Sequence, residues 1–189
     1  PPRSTLFPYT TLFRSGTANW TFAGNGNYNT ANGSANIEVS KADASITVNG
    51  YTGVYDGNAH GATGSTTGVN SEDLTTLLKL GATFTNVPGG TANWTFAGNG
   101  NYNSLSGTAN IVITKANASI TVNGYTGVYD GYAHGATGSA TGVNSEDLTA
   151  LLNLGASFTN VPGGTVNWTF AGDGNYNTDN GDADRESTE

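Results

Sequence analysis

A segment reading Thr-Ala-Asn-Trp-Thr-Phe-Ala-Gly-Asn-Gly-Asn-Tyr-Asn occurs three times in this sequence, with two substitutions in the last copy. The copies are centred on Trp20, Trp94 and Trp168, so consecutive copies lie 74 residues apart. A fixed period of this length indicates a tandem array of one supersecondary unit. This repeat constrains the fold more strongly than any other feature of the chain.

The repeated segment itself predicts a strand followed by a turn. Ala92, Trp94 and Phe96 alternate with polar residues, which places apolar side chains on one face of a strand. The Gly-Asn-Gly-Asn run at 98–101 tolerates positive φ and predicts a chain reversal. We expect Trp94 and Trp168 to occupy the centre of each core, because tryptophan buries the largest apolar area.

Both ends of the chain depart from the repeat. Thr5 to Ser15 resembles the in-frame translation of a common sequencing adapter, and residues 184–189 loosely resemble its partner adapter. All three arginines (Arg3, Arg14 and Arg185) lie in these ends. We therefore expect residues 1–15 and 184–189 to be non-native and leave them out of the fold prediction.

The remaining chain divides into repeat modules. We expect residues 16–40 to be the C-terminal fragment of one repeat and residues 41–114 to be a complete module. Residues 115–183 form the next copy, which we expect to lack its last strand. The last two copies differ at 12 of 69 aligned positions, and such close similarity indicates a recent duplication.

Within the complete module the pattern predicts short strands and one helix. The predicted strands and turns follow in chain order: a strand through Ala44, Ile46 and Val48, a turn at Gly50 to Gly57, a strand at His60 to Thr67, a strand through Leu80, Ala82 and Phe84, the tryptophan strand, and a last strand at Gly107 to Thr114. Between the second and third strands, Ser71 is predicted to cap a short helix with Leu74, Leu77 and Leu78 on one face.

This order predicts a mainly β fold with one short helix per module, which is an α+β arrangement. A single helix laid across a mostly antiparallel sheet favours tandem β-grasp-like modules. An immunoglobulin-like β-sandwich is the alternative, in which the leucine-rich segment would be an inserted crossover.

Composition excludes several classes of function. The net charge is −8, which argues against a nucleic-acid or anionic-membrane partner because those partners favour a basic face. The chain has no cysteine, so disulfides, a thiol nucleophile and cysteine-ligated zinc are excluded. It contains no run of about 18 apolar residues, so we expect no membrane insertion.

The candidate chemical sites are few. His60 and His134 lie one per module, and without a second histidine we expect a structural role and no metal. The run from Asp173 to Asn177 places oxygen-bearing side chains at alternate positions, as calcium loops do. It lacks the bidentate glutamate of such loops, and asparagine stands at the matching positions Asn25 and Asn99, so an ordinary turn is favoured.

Two sets of surface residues were also considered. The sequence Asn-Trp-Thr or Asn-Ala-Ser, which matches the N-glycosylation acceptor pattern, begins at Asn19, Asn93, Asn117 and Asn167. These asparagines should face solvent if the tryptophans face inward. A carbohydrate-binding platform could be formed by Tyr51, Tyr55, Tyr102 and Tyr132, although packing in the core and at sheet edges is favoured.

The sequence also resembles a known family. The run Ala44 to Leu74, the Tyr-Asp-Gly motif at Tyr55 and Tyr129, and the tryptophan segment resemble the MBG/YDG-type repeats of large bacterial surface adhesins. The resemblance covers nearly all of residues 16–183. It implies small β-grasp-like modules in arrays, an extracellular or cell-surface location, and no catalytic residues or cofactors.

Three functions follow as hypotheses. The first is a non-enzymatic spacer array of a bacterial adhesin, whose host or surface glycans and proteins would be bound by other parts of a longer chain. The second is a carbohydrate- or protein-binding module of the same surface protein. An enzyme is disfavoured, because no nucleophile–base pair, carboxylate dyad or cofactor loop recurs in the repeat.

Overall fold

The computed structural model describes residues 16–183, so the predictions for residues 1–15 and 184–189 lie outside the described part of the chain. This part is mostly β, as predicted. The strands are β1 (Gly16–Phe22), β2 (Ala31–Ile37), β3 (Ser45–Asn49), β4 (Tyr51–Val54), β5 (Thr63–Thr67), β6 (Leu78–Lys79), β7 (Gly89–Phe96), β8 (Leu105–Thr114), β9 (Ser119–Asn123), β10 (Thr137–Thr141), β11 (Leu152–Asn153), β12 (Val166–Phe170) and β13 (Asp179–Ala183). None of the helical segments in this range is long and apolar enough to cross a membrane.

The predicted helix is wrong. Residues 16–183 contain no α-helix, and the leucine-rich segment forms only a single 3-10 turn at Thr75–Leu77 and again at Thr149–Leu151. Ser71 does not cap it, because its φ is 63°, a left-handed conformation that cannot start a helix. The neighbouring acids bond locally instead: Glu72 accepts the N–H of Asn70 at 2.8 Å, and Asp73 accepts that of Thr75 at 2.8 Å.

One predicted turn and one predicted strand also differ in the structure. The segment predicted as a turn at Gly50 to Gly57 contains β4, which pairs in parallel with β8. The predicted strand through Leu80, Ala82 and Phe84 does not form. The short strand β6 ends at Lys79, just before Leu80, and Phe84 makes only an isolated bridge with His60. These segments are short and rich in glycine, so pairing with distant strands decides their conformation.

The strands form small sheets within the described residues. The orders are β1-β2, β3-β5, β4-β8-β7-β6, β10-β9 and β11-β12-β13. The pairs β1–β2, β6–β7, β9–β10, β11–β12 and β12–β13 are antiparallel. Because β4 pairs in parallel with the end of β8, the last strand of the complete repeat returns beside one of its first strands.

The described chain divides into two compact units. The first comprises residues 16–48, 64–80 and 94–107, and the second comprises 49–63, 81–93 and 108–183. Both units draw residues from the repeat at 41–114. The division into repeat modules stays a prediction.

The first unit has a core around Phe96 and Tyr102, both buried. Phe96 lies opposite Leu78 in the β6–β7 pair, and Tyr102 forms a parallel bridge with Ala42. The hydroxyl of Tyr102 donates to the Glu72 carboxylate and accepts the N–H of Val69 at 2.9 Å. This bond to Tyr102 is the main cause that lowers the pKa of Glu72.

The second unit holds two apolar clusters. In one cluster Ala92, Ile111 and Ile113 are buried beneath Tyr51 and Phe84. The residues buried in the other are Ala116, Ala140, Phe170 and Tyr176. In the tryptophan strands β7 and β12, inward-facing residues alternate with exposed ones. This alternation confirms the period of two predicted for these strands.

The tryptophans are not the core centres, which corrects the prediction. Trp94 and Trp168 share the inward face of their strands but are only half-buried, whereas Phe96 and Phe170 are fully buried. Each indole lies over a glycine on the next strand. A Cβ on Gly181 would lie 2.6 Å from Cζ2 of Trp168. The indole therefore rests in a shallow site over this glycine and stays partly exposed. The smaller ring of Phe96 or Phe170, two residues further along the same strand, is the one enclosed in the core.

Candidate functional site

The structure brings together a tyrosine, a histidine and an aspartate in each of the last two copies. The ring of Tyr51 stacks on the imidazole of His60 at a centroid distance of 3.9 Å and an interplanar angle of 8°. The imidazole Nε2 of His60 lies 2.9 Å from Oδ1 of Asp56. β4 supplies the tyrosine, the turn after it supplies the aspartate, and the bridge to Phe84 holds the histidine backbone.

The next copy repeats this Tyr–His–Asp cluster. Tyr125 and His134 stack at 3.8 Å and 2°, and the distance from His134 Nε2 to Asp130 Oδ1 is again 2.9 Å. The residues lie at the same spacing in both copies, with aspartate five residues after the tyrosine and histidine four residues after that. The histidines and the Tyr-Asp-Gly motif are visible in the sequence, but nothing in the sequence pattern by itself indicates that they meet.

The aspartates in these clusters are strong acceptors. The bond from His60 and the backbone N–H of Asn58 lower the pKa of Asp56 to about 2. The pKa of Asp130 is also lowered, first by the N–H of Tyr132 and then by His134. Each carboxylate is thus ionised at neutral pH and orients an imidazole whose face is covered by tyrosine. This arrangement suits a fixed structural clasp.

The segment considered as a calcium loop is a side-chain-stabilised turn. Oδ1 of Asp173 accepts the N–H groups of Asn175 at 2.7 Å and of Tyr176 at 2.8 Å. Asn99 makes the same two bonds in the preceding copy. Because asparagine does the same work as aspartate here, the turn needs no cation. Within residues 16–183 no group of three or more metal-ligating side chains was found.

The asparagines of the acceptor pattern lie on exposed positions, as predicted. Asn93 and Asn167 alternate with the inward-facing tryptophans on β7 and β12, and Asn19 and Asn117 are also exposed. The oxygen of the Asn117 side chain accepts a bond from Asn177 Nδ2 at 2.8 Å.

The four tyrosines considered as a carbohydrate platform have different surroundings. Tyr102 is buried and hydrogen-bonded in the first unit, and Tyr51 is covered by His60. Tyr55 packs edge-on against Tyr176, whereas Tyr132 is largely exposed. The burial of Tyr102 removes it from any exposed binding surface.

A contact between consecutive copies lies within the second unit. The rings of Tyr55 and Tyr176 meet edge to face at 5.6 Å and 82°. The side chain of Asn175 accepts the N–H of Val87 at 3.1 Å and donates to the side-chain oxygen of Asn86 at 3.0 Å. We call these five residues the junction. The sequence does not mark it, because each junction residue has an identical residue at the matching position of the other copy, so nothing distinguishes the residues that meet.

A groove distinguishes the two copies. In the complete repeat Ile111 and Ile113 are buried against Tyr51, Tyr55, Ala62, Phe84, Val87 and Ala92. In the next copy the residues at the matching positions line an open pocket of about 90 Å³: Tyr125, Tyr129, Ala136, Phe158, Val161 and Val166. The His134 imidazole and the Asp130 carboxylate lie at its wall.

No protein-family model, curated protein or solved structure matches this chain.

Proposed function

We propose that this chain is a non-enzymatic spacer array, of the kind found in bacterial surface adhesins. The proposal is supported by the tandem repeat and by the junction, in which Tyr55 packs on Tyr176 and Asn175 bonds to the backbone of Val87. A repeat that contacts its neighbour through fixed side chains transmits orientation from copy to copy. The resemblance to MBG/YDG-type repeats adds the cell-surface location.

The finer fold also belongs to this proposal. The parallel pairing of β4 with β8 supports a β-grasp-like arrangement, in which the last strand lies beside an early one. The helix expected of that arrangement is replaced by a 3-10 turn in the described residues. We infer a β-grasp-like module whose helical element has been reduced to a turn.

The test of a spacer is how its length grows. Arrays with increasing numbers of the 41–114 repeat would be compared by small-angle X-ray scattering. A spacer with fixed junctions gains the same increment in maximum dimension with each copy, because each repeat contacts only its neighbours. Insertion of a Gly/Ser linker between Thr114 and Lys115 provides the control and should shorten the mean dimension. A dimension that grows no faster than that of a compact globule would refute the proposal.

A ligand-binding role is the second proposal. It is favoured by the aromatic lining of the pocket of about 90 Å³, which contains Tyr125 and Tyr129 beside His134. Aromatic faces with a few polar groups suit a sugar or a peptide. A glycan array with the wild-type chain and the Tyr125→Ala and Tyr132→Ala variants would test it. Binding lost in the first variant and kept in the second would place the ligand in this pocket, whereas an array without binding would reject a carbohydrate ligand.

A further inference from the structure

We propose that the Tyr-Asp-Gly motif of one repeat is the element that recognises the following repeat. The motif and the nearby turn form a surface that we call the accepting face: Tyr55, Asp56, Gly57, Asn86 and Val87. The residues of the following copy that meet it form the inserting face: Asn144, Asn175 and Tyr176. All of these residues lie in the second compact unit. The inference rests on the proposed function, since it names what each repeat of the array binds.

The tyrosine of the motif supplies the apolar part of the contact. The ring of Tyr55 meets that of Tyr176 edge to face at 5.6 Å and 82°. Tyr55 packs against the buried cluster that contains Ile111, and also against the cluster of the following copy that contains Phe170. Aromatic pairs of this geometry contribute more than the area that they bury. One side chain therefore belongs to the cores of two consecutive copies.

The glycine of the motif leaves room for an asparagine of the following copy. A Cβ on Gly57 would collide with the side-chain amide of Asn144. The φ of Gly57 is 77°, and the φ of Gly131 at the matching position is 80°. A Cβ on Gly131 would meet nothing within 4 Å among the described residues. The left-handed backbone therefore explains a glycine at both positions, whereas the contact with Asn144 adds a second requirement at Gly57.

The aspartate of the motif holds this glycine in place. Oδ1 of Asp56 accepts the N–H of Asn58 at 2.9 Å and lies 2.9 Å from Nε2 of His60. A side-chain oxygen that accepts the N–H two residues further along the chain closes a turn around the residue between them. That residue is Gly57, so Asp56 is a positioning residue for the contact with Asn144.

The polar part of the contact lies at the turn that begins at Asn86. The Asn175 side chain accepts the N–H of Val87 at 3.1 Å and donates to Oδ1 of Asn86 at 3.0 Å. The Asn86 carbonyl accepts the N–H of Gly89 at 2.8 Å, which fixes the turn that presents these groups. A carboxamide can donate and accept at the same time. The accepting face therefore fits a partner that carries a carboxamide beside an aromatic ring.

The inserting face is oriented by its own copy. The Tyr176 hydroxyl accepts the N–H of Val143 at 2.8 Å, and the Glu146 carboxylate accepts the N–H of Asn144 at 2.8 Å. The Tyr176 hydroxyl also donates to Glu146. Because these bonds lie within one copy, little ordering remains to be done when the face meets the preceding copy.

Each of the last two copies carries the residues of both faces. The accepting residues recur as Tyr129, Asp130, Gly131, Asn160 and Val161. The inserting residues recur as Asn70, Asn101 and Tyr102. Because the two faces are different surfaces, the contact is head to tail and can be repeated at every junction of an array.

Hydrogen exchange of the Val87 amide, measured by NMR on the full chain, reports this contact because its N–H is bonded to the following copy. The Asn175→Ala variant removes the acceptor and should speed exchange about tenfold. The Asn101→Ala variant makes the matching change in the preceding copy and should leave the rate unchanged. An unchanged rate in the Asn175→Ala variant would overturn the proposal, because the contact would then be absent in solution.

The Gly57→Ala variant tests the recognition itself, since its methyl group meets Asn144 first. It should speed exchange of the Val87 amide about tenfold as well, because the inserting face is displaced as a unit. The Gly131→Ala variant imposes the same left-handed strain and should leave this amide protected. Adding Asn144→Ala to Gly57→Ala removes the collision and should restore protection. Equal rates in the two glycine variants, or no restoration in the double variant, would overturn the proposal. Circular dichroism checks that every variant is folded.

The positioning role of Asp56 is tested by the same amide. The Asp56→Ala variant opens the turn around Gly57 and should speed exchange at Val87. The Asp56→Asn variant keeps a side-chain oxygen and should retain protection, since Asn99 closes its own turn in this way. Equal exchange rates in the two variants would overturn the assignment of Asp56 as a positioning residue.

These measurements separate the recognition from the spacer role. Release of Val87 in the Gly57→Ala variant, together with arrays that grow no faster than a compact globule, would support the recognition and refute the spacer. Arrays that lengthen by equal increments, with exchange at Val87 unaffected by the Gly57→Ala change, would support the spacer and refute the recognition.

Discussion

The hydroxyl of Tyr176 donates a hydrogen bond to the carboxylate of Glu146 and accepts the N–H of Val143 at 2.8 Å. Tyr176 is buried, and its burial together with Glu146 raises its pKa to about 12. Tyr102 and Glu72 repeat the arrangement in the preceding copy. The buried tyrosine thus fixes the loop that sequence reasoning expected to be a helix start.

This arrangement predicts the effect of deleting one oxygen atom. The Tyr176→Phe variant leaves the Val143 N–H and the Glu146 carboxylate without their shared partner. We expect the free energy of unfolding to fall by about 1 kcal/mol, the usual net contribution of a hydrogen bond, because water can reach the Val143 and Glu146 partners. Urea denaturation followed by tryptophan fluorescence measures it. Tyr132→Phe is the matched control, because Tyr132 is exposed, and a similar loss in both variants would contradict the prediction.

The clasp between His60 and Asp56 predicts a dependence on acid pH. The pKa of Asp56 is about 2 in the folded chain, below its ordinary value of 3.8. A carboxyl whose folded-state pKa is lowered contributes stability above its unfolded-state pKa and loses it as the pH falls to the folded value. The contribution of Asp56 should therefore disappear between pH 3.8 and about 2.

NMR titration of the Asp56 carboxyl carbon checks this directly. The His60→Phe variant keeps an aromatic ring beside Tyr51 but removes the hydrogen-bond donor, the largest cause of the shift, so the pKa of Asp56 should rise toward its ordinary value. The His134→Phe variant is the control, since it leaves Asp56 and its partners unchanged. A pKa of Asp56 that is the same with and without His60 would assign the shift to the backbone N–H of Asn58 instead.

A buried hydroxyl offers a stabilising substitution. Thr66 is buried, and its side-chain oxygen has no hydrogen-bond partner. Its counterpart in the next copy, Ala140, is equally buried and has no polar atom to satisfy. The Thr66→Val variant keeps the shape and should raise the free energy of unfolding by about 1 kcal/mol. The reverse change Ala140→Thr should lower it, and thermal unfolding of both variants decides whether the sign is right.

The glycine beneath Trp168 predicts a destabilising substitution. A Cβ added to Gly181 would lie 2.6 Å from the indole, closer than two unbonded carbons can approach. The Gly181→Ala variant should therefore cost about 1–3 kcal/mol of unfolding free energy, with a shifted tryptophan emission. Gly174→Ala is the control, since a Cβ there would meet nothing within 4 Å. Equal stability of the two variants would mean that the indole moves aside freely.

Local patterns in the sequence were reliable wherever the structure depends on neighbouring residues. Ile46 and Val48 face inward on β3 as their alternation predicts, and Asn99 closes the turn that its Gly-Asn context indicates. The same reasoning failed at Ser71. A serine before two acids is a common helix start, but here Glu72 is engaged by Tyr102, which lies 30 residues away.

The candidate site depended even more on distant contacts. The spacing of Tyr51, Asp56 and His60 does not by itself predict that their side chains meet. They are brought together by the position of β4 and by the backbone bridge between His60 and Phe84. The junction and the groove are likewise pairings between residues far apart in the chain. The repeated spacing of Tyr51, Asp56 and His60 was the one signal that could have revealed the cluster.

The sequence by itself determined the 74-residue period, the strands with one apolar face, the glycine-asparagine turns and the mainly β character, because each of these depends on short-range geometry. Only the tertiary structure decided that Phe96 rather than Trp94 is enclosed, that a 3-10 turn replaces the helix, and that identical sequences around Tyr55 and Tyr129 have different surroundings. The physical reason is that burial is set by what packs against a residue, and here the packing partners come from other strands.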